Sequence, residues 1–581
     1  MTTRRWLLCP LFAILAGQSL AGERTWRLVV APHYRVLSEL GDRDTLAWMR
    51  NFDQYIQSTS DFLKINLQAL PPLTVVIFDR DKDYTPYKPM RPNGKTANVA
   101  GQFVWRPTWS MIGMAKETDS AELRSTLQHE ATHWLMSGDQ GRQPAWFSEG
   151  IAEMFSTFER HGDKVNWAKP IGPHLALLQN TRPEPLAQFL IEPSALFDRD
   201  DHTERFYAES WAFMHFLLFS EKGTRRPLLS QFLQLYKTES GEGTVATVFG
   251  PHLDEIEKDF HLYIDQRSFY YMIEPLHLPP DPPAPQAAPA DLVEASLGLL
   301  ALGAERYDLA RQHAEKAVAH DANTPEGHRI LALVALENHD TAEATRHAEA
   351  AIDSGSKDSE LYMLLGDSYQ SGANSQAPNA AIARVNQYEN AINLNPRQRA
   401  YYERLAAAMF AIDKPREEDA KFLEIGLRLY PGADWVRVGT AVVDYRLGHQ
   451  EAAMSTLEAV LKPESTLDPS ERNYATKLRT HWLFESMRSE IRDVEDRNDY
   501  AGARALISRY RGRVGEDADA VSFLEEIAKS LDVRELMAKY SQARQAHDNA
   551  GARKLAEQLL ALPGLPGNMR DLLQKQVQAS H

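Results

Sequence analysis

The chain has 581 residues, 43% hydrophobic and 25% charged, with 80 acidic against 64 basic residues and a net charge of −16. That length calls for more than one domain, and the composition is that of a globular protein. The acidic balance, with no basic cluster, excludes a nucleic-acid-binding role.

Residues 1–21 read as a secretory signal: Arg4 and Arg5 precede the apolar stretch Trp6–Ala16, and Ser19-Leu20-Ala21 offers a small-x-small cleavage site. The apolar stretch is too short to span a bilayer comfortably, so no transmembrane helix is expected after cleavage. The one cysteine, Cys9, lies within this segment. The mature chain would then have no disulfide framework, and packing must supply its stability. Together these features point to a bacterial periplasmic or cell-envelope setting.

From residue 22 to 274 the pattern is α+β. Trp26–Val36 has strand composition, Asp42–Leu63 carries apolar residues at helical spacing, and Leu73–Phe78 is a buried strand. Gln102–Trp105 and Ser110–Met114 pair across a turn at Arg106–Trp109. A helix then follows a capping box at Asp119–Glu122, with Leu123, Leu127 and Ala131 on its apolar face and Gly138 as its stop.

That helix carries His129-Glu130-Ala131-Thr132-His133. Histidines four apart lie one turn apart on one helix face, so both imidazoles can bind one metal ion. Glu130 sits between them as the base for a zinc-bound water. A structural zinc site takes four protein ligands, usually including cysteine, and the only cysteine lies outside this domain, so a three-ligand catalytic site with an open position fits better. The pattern HExxHxxGxxH fails, because Met136 and Asp139 occupy its last two key positions. The third ligand is expected to be Glu149, in a second helix that starts at Pro144 and folds back through the connection Ser137–Gln143. Glu153, one turn further, is placed to hydrogen-bond a ligand histidine.

HEATH followed by PAWFSEGIAEMF resembles the gluzincins, and more closely the peptidase-MA-like domains of unknown function and the membrane alanyl aminopeptidase clan. In those families the glutamate of the W-x-x-E-G-x-A pattern, here Glu149, binds zinc. The connection between His133 and Glu149 is shorter than theirs. They also carry a G-x-M-E-N strand that grips the substrate amino group, and this chain has none; the nearest stretch is Trp109–Met114. The segment Arg205–Ala212 is similar to the one in which aminopeptidases place an oxyanion-stabilising tyrosine, which aligns with Tyr207; His202 is a second candidate donor. The resemblance also implies a sheet edge that pairs with extended substrate, a role assigned to Ser110–Met114. Phe206–Phe219, Leu228–Tyr236 and Leu253–Ile264 read as a helical lobe closing the cleft, the first of them strongly amphipathic.

Residues 275–290 form a proline-rich linker, and 291–575 a helical array. Ala310, Ala314 and Ala317 recur 34 residues later as Ala344, Ala348 and Ala351, the period of tetratricopeptide repeats. Tyr362, Leu365, Gly366 and Tyr369, then Tyr388, Ala391 and Pro396, match that family's two half-patterns around an insertion at Ser371–Pro378. Arg399–Tyr430 and Gly439–Lys462 look like degenerate units, and Asp499–Leu506 and Asn549–Leu555 continue the hairpins.

The expected fold is therefore a gluzincin-like α+β domain, with a small mixed sheet lobe and a helical lobe, joined to an all-α tetratricopeptide solenoid. Two functions stay open. One is an exported zinc metallopeptidase that hydrolyses a peptide or protein substrate, its repeat groove binding a protein partner. The other is a non-enzymatic envelope scaffold with a vestigial metallopeptidase-like domain. The donor set also permits a divalent metal other than zinc.

Overall fold

The computed structural model describes residues 25–578 apart from 92–93, 98, 117–119, 139–142, 182, 192–199, 237–240, 372–373, 498, 515–517, 563–564 and 566. Residues 1–21, read from the sequence as a secretory signal, the expected cap Asp119 and most of the connection 137–143 lie outside the described residues. The chain divides into two compact units, 1–397 and 398–581.

The first unit is built on β3 (Leu73–Phe78), whose six residues are all buried. Apolar residues on both faces of a strand require cover on both sides, and that requirement organises the lobe. The mixed sheet runs β4-β5-β3-β2-β1-β9, with β1 (Arg27–Val30), β2 (Tyr34–Ser38), β4 (Gly101–Arg106), β5 (Trp109–Ala115) and β9 (Gln286–Ala287). Pairs β2–β3 and β3–β5 are parallel and the others antiparallel. The stretch read as one strand from Trp26 to Val36 is thus a hairpin, turning at Ala31–His33. One sheet face is covered by α1 (Asp42–Leu63) and α3 (Ser120–Met136), through Met49, Phe52, Ile56, Leu127 and Ala131. Between them in the chain, α2 (Asp81–Tyr84) is a single turn.

The helical lobe follows, with α4 (Ala145–Phe155), α5 (Gly172–Asn180), α6 (Leu186–Phe189), α7 (Asp200–Phe219), α8 (Arg226–Tyr236), α9 (Gly241–Val248) and α10 (Leu253–Ile264). A small antiparallel sheet joins β6 (Glu159–His161), β7 (Lys164–Trp167) and β8 (Met272–Pro275). The amphipathic reading of Phe206–Phe219 is corrected here. α7 runs through the lobe's middle, and Trp211, Ala212, Phe213, Met214, Phe216 and Leu217 are buried in succession. His215 is fully buried on this helix. Its Nε2–H donates to the carbonyls of Tyr270 (2.9 Å) and Ala168 (3.1 Å), and its Nδ1 accepts from the Tyr263 hydroxyl at 2.7 Å.

Burial pushes the His215 imidazole down to about 4. The unfolded histidine titrates near 6.5. Between those values the unfolded chain binds the extra proton, so stability is full above pH 6.5 and falls as the pH drops toward 4. The loss amounts to about 3 kcal/mol. Urea unfolding at pH 7 and pH 4.5 is expected to show this acid sensitivity in the parent and a smaller one in His215→Gln.

The proline-rich segment is held at both ends. Glu274 and Pro275 pair with β7, and Gln286 and Ala287 with β1. Beyond it, α11 (Ala290–Gly303), α12 (Tyr307–His320) and α13 (Pro325–Glu337) cover the second face of the large sheet. Leu37, Val76, Phe78 and Met111 share one core cluster with Val293, Leu300, Ala314 and Ile330. The division between units accordingly falls at Arg397/Gln398, not at the proline run. α14 (Thr341–Asp353), α15 (Ser359–Ser371) and α16 (Ala380–Leu394) complete three helical hairpins. The recurring alanines 310, 314, 317, 344, 348 and 351 are fully buried. Small residues there let paired helices approach, the packing that the 34-residue period encodes.

The second unit is all-helical among its described residues: α17 (Arg399–Met409), α18 (Glu417–Leu429), α19 (Asp434–Leu447), α20 (Gln450–Val460), α21 (Pro469–Glu495), α22 (Tyr500–Val514), α23 (Ala518–Gln545), α24 (Asn549–Ala561) and α25 (Gly567–Gln578). Helices α19 to α23 pack around Val438, Leu457, Trp482, Met487 and Tyr510, and the end of α23 packs with α24 and α25 around Tyr540, Ala556, Leu559 and Leu573. The fold is thus a mixed sheet lobe followed by a large helical array of the tetratricopeptide type. No helix among the described residues is long and apolar enough to cross a membrane.

Candidate metal centre

Two helices build the site. On α3, Leu127, Ala131, Trp134 and Leu135 are buried, leaving His129, Glu130 and His133 toward a cleft. Thr132, fully buried, bonds the Tyr55 hydroxyl at 2.6 Å and ties α3 to α1. Gly101 lets α3 lie against β4, since a Cβ there would stand 2.9 Å from Thr126 Cγ2. α4 starts after Pro144, which is its N-cap and not a first-turn residue. Trp146, Phe147, Gly150, Ile151, Ala152, Met154 and Phe155 of α4 are buried. Glu149 and Glu153, one turn apart, share the remaining face.

His129, His133 and Glu149 converge. The two Nε2 atoms are 3.2 Å apart, and Glu149 Oε2 lies 3.2 Å from His129 Nε2 and 3.5 Å from His133 Nε2. Ligands about 2.1 Å from a tetrahedral ion stand about 3.4 Å from one another. The three spacings therefore fit one small divalent cation. The far nitrogens set the tautomers: His129 Nδ1 lies 3.2 Å from Glu153 Oε1, and His133 Nδ1 3.2 Å from Ser148 Oγ. With each Nδ1–H donating outward, both Nε2 lone pairs face Glu149. No proton then lies between these atoms, and Glu149 Oε2 is buried without a hydrogen-bond partner. An orphaned carboxylate oxygen beside two imidazole lone pairs is the arrangement a cation satisfies.

The electrostatics favour positive charge at this point, which a proton on His129 or a bound cation can supply. Burial acts to push His129 down, but Glu149 and Glu153 outweigh it and hold it well above its ordinary value. Burial acts to push Glu149 up, yet His133 and His129 hold it far below the usual carboxylate range. Glu153 is held down to about 2 against burial, by His129 and His174. Glu130 is raised, mainly by burial, and accepts a hydrogen bond from the Phe103 backbone. Burial and then the charges of Glu149, Glu130 and Glu153 raise Tyr207, so its hydroxyl keeps its proton.

A cleft of about 600 Å³ opens over these groups, lined by Phe103, Trp105, Met136, Ser148 and Tyr207 among others. The Tyr207 ring meets the His129 ring edge-on at 5.9 Å, across from β4. His202 is exposed and does not line the cleft. The edge role given to Ser110–Met114 is corrected: β5 is interior, between β4 and β3, and the free edge beside α3 is β4. Turn chemistry alone could not say which arm of the hairpin faces outward. Three supports escaped the sequence. His174 on α5 bonds the second oxygen of Glu153 at 3.1 Å. Ser148 orients His133, and the Phe103 ring stacks on His133 at 6.2 Å. Their partners are distant in the chain or belong to the neighbouring helix, and no spacing signals them.

A family described as a protein of unknown function, DUF1570, matches residues 124–235, which span both metal-centre helices and α7. No curated protein matches the chain. Among solved structures, similarity is found to YrrB, a TPR protein with an unusual peptide-binding site (14% identity, TM-score 0.27, 32% of this chain and 90% of that one). It is also found to MamA from AMB-1 (17%, 0.25, 31% and 94%) and to Pseudomonas aeruginosa PilF (18%, 0.24, 41% and 97%).

Proposed function

We propose that the chain is a zinc-dependent peptide hydrolase, exported to the cell envelope, whose helical array binds a protein partner. The reading rests on one observation: two imidazole nitrogens and one orphaned carboxylate oxygen spaced for a single tetrahedral ion. His129, His133 and Glu149 hold zinc, and Glu153 and Ser148 fix the histidine tautomers that leave both Nε2 atoms free. When bound, zinc supplies a Lewis acid that acidifies water and polarises a carbonyl. Glu130 takes the proton from the attacking water and delivers it to the leaving amine. The Tyr207 hydroxyl donates to the carbonyl oxygen as charge develops there.

The open edge of β4 orients the substrate by strand pairing. Phe103, Trp105 and Met136 then meet an apolar side chain and keep bulk water away. Apart from Glu130, Glu149 and the two ligand histidines, no titratable carboxylate, lysine or arginine lines the described cleft.

Purified protein is expected to carry about one zinc per chain, and His133→Ala or Glu149→Ala to carry none, by elemental analysis after gel filtration. A parent free of zinc after chelator-free purification would instead support the scaffold reading.

A further inference from the structure

A second cavity, of about 620 Å³, lies where β2, β3 and β5 begin. Arg35, Thr74 and Met111 of the sheet line one side, and Leu299 of α11 with Glu326 and Arg329 of α13 line the other. None of these residues belongs to the metal centre or to the matched segment 124–235.

Alternation along β2 places Arg35 on the face of Leu37, the face packed on α11–α13. Its Nε donates to Thr74 Oγ1 at 2.9 Å. Arg329 comes from the opposite wall with its side chain 11% exposed and its guanidinium 5.4 Å from the Trp109 ring centre. Its Nη1 pairs with the buried Asp358 carboxylate at 3.4 Å, and its Nε is buried without a partner. Burial lowers the pKa of Arg35, Glu326 opposes this, and the like charge of Arg329 adds to it. Thr108 and Ser110, which also line the cavity, carry buried hydroxyls without partners.

Arg329 keeps one buried donor unused beside its pair with Asp358, and such a donor is costly unless a further acceptor reaches it. The planar guanidinium fork matches a carboxylate bidentately. Glu326 offers the reverse, an acceptor for an N–H group. Leu70, Met111 and Leu299 supply apolar wall.

We propose that this cavity binds a small organic carboxylate with an amide N–H and an apolar side chain. Arg35 and Arg329 take the carboxylate, Glu326 accepts from the N–H, and the apolar wall holds the side chain. An acylated amino acid and the carboxyl end of a short peptide share this chemistry. The proposal stands apart from the hydrolase reading, because it involves none of the cleft residues.

The test uses the full chain carrying Glu130→Gln, labelled with 13C at the methionine methyls, and follows Met111 in this cavity and Met136 in the cleft. N-acetyl-leucine and N-acetyl-Ala-Ala-Leu are the two ligand arms; N-acetyl-leucinamide and inorganic phosphate are the comparisons. The expected result is a saturable Met111 shift with at least one carboxylate arm and none with the amide. The arm that binds more tightly identifies the source. Arg329→Gln and Arg35→Gln, each with an unchanged circular dichroism spectrum, should weaken binding at least about tenfold. A Met111 that stays still with both arms overturns the proposal. So does a shift confined to Met136, an equal response to the amide, or an equal response to phosphate.

Discussion

Glu130→Gln is expected to keep its zinc and to lose hydrolysis of an unfolded cell-envelope protein fraction by about 10²–10⁴-fold, the usual contribution of a positioned general base. The substitution preserves shape and removes only the proton-accepting oxygen. Glu130 does not belong to the convergent trio, whose contacts are among His129, His133 and Glu149. Elemental analysis beside a cleavage assay separates the two properties. If the variant cleaves as fast as the parent, Glu130 is not the base; if neither protein cleaves anything, hydrolysis itself is refuted.

The second large effect is expected at a helix crossing, from a residue that touches neither metal nor substrate. Gly150 lies on α4 between Glu149 and Ile151, where α4 crosses α7. A Cβ there would stand 2.4 Å from both the Ser210 carbonyl oxygen and Met214 Cγ. The oxygen is backbone, so it cannot rotate aside. On helix propensity alone Gly150→Ala should stabilise by about 1 kcal/mol. The crowding predicts the opposite sign, a loss of about 1–3 kcal/mol as α4 is pushed away from α7. Because α4 carries Glu149, weaker zinc retention should accompany the lower unfolding midpoint. A Gly150→Ala protein that melts higher than the parent would contradict the packing described.

Much of the candidate site was legible because helical periodicity is local. His129 and His133 share a face through their spacing, and Glu149 and Glu153 do so through theirs. Likewise Asp42–Leu63 and Leu73–Phe78 announce their structure through periodicity and an unbroken apolar run. What stayed hidden depends on chain-distant neighbours. His174 looks like any helix residue until α5 is seen to bring it to Glu153. The exposed arm of the β4–β5 hairpin depends on which strand β3 accepts. The proline run reads as a spacer because proline composition reports local stiffness and says nothing of where the two ends are anchored.

The doubly covered β3 bears on how such a chain can change over time. Because α11–α13 supply the second roof of the sheet, a gene truncated at the proline run would leave Leu37, Val76, Phe78 and Met111 facing water. The first hairpins are therefore not a module that recombination can freely exchange. They must stay with the sheet lobe for its second face to remain covered.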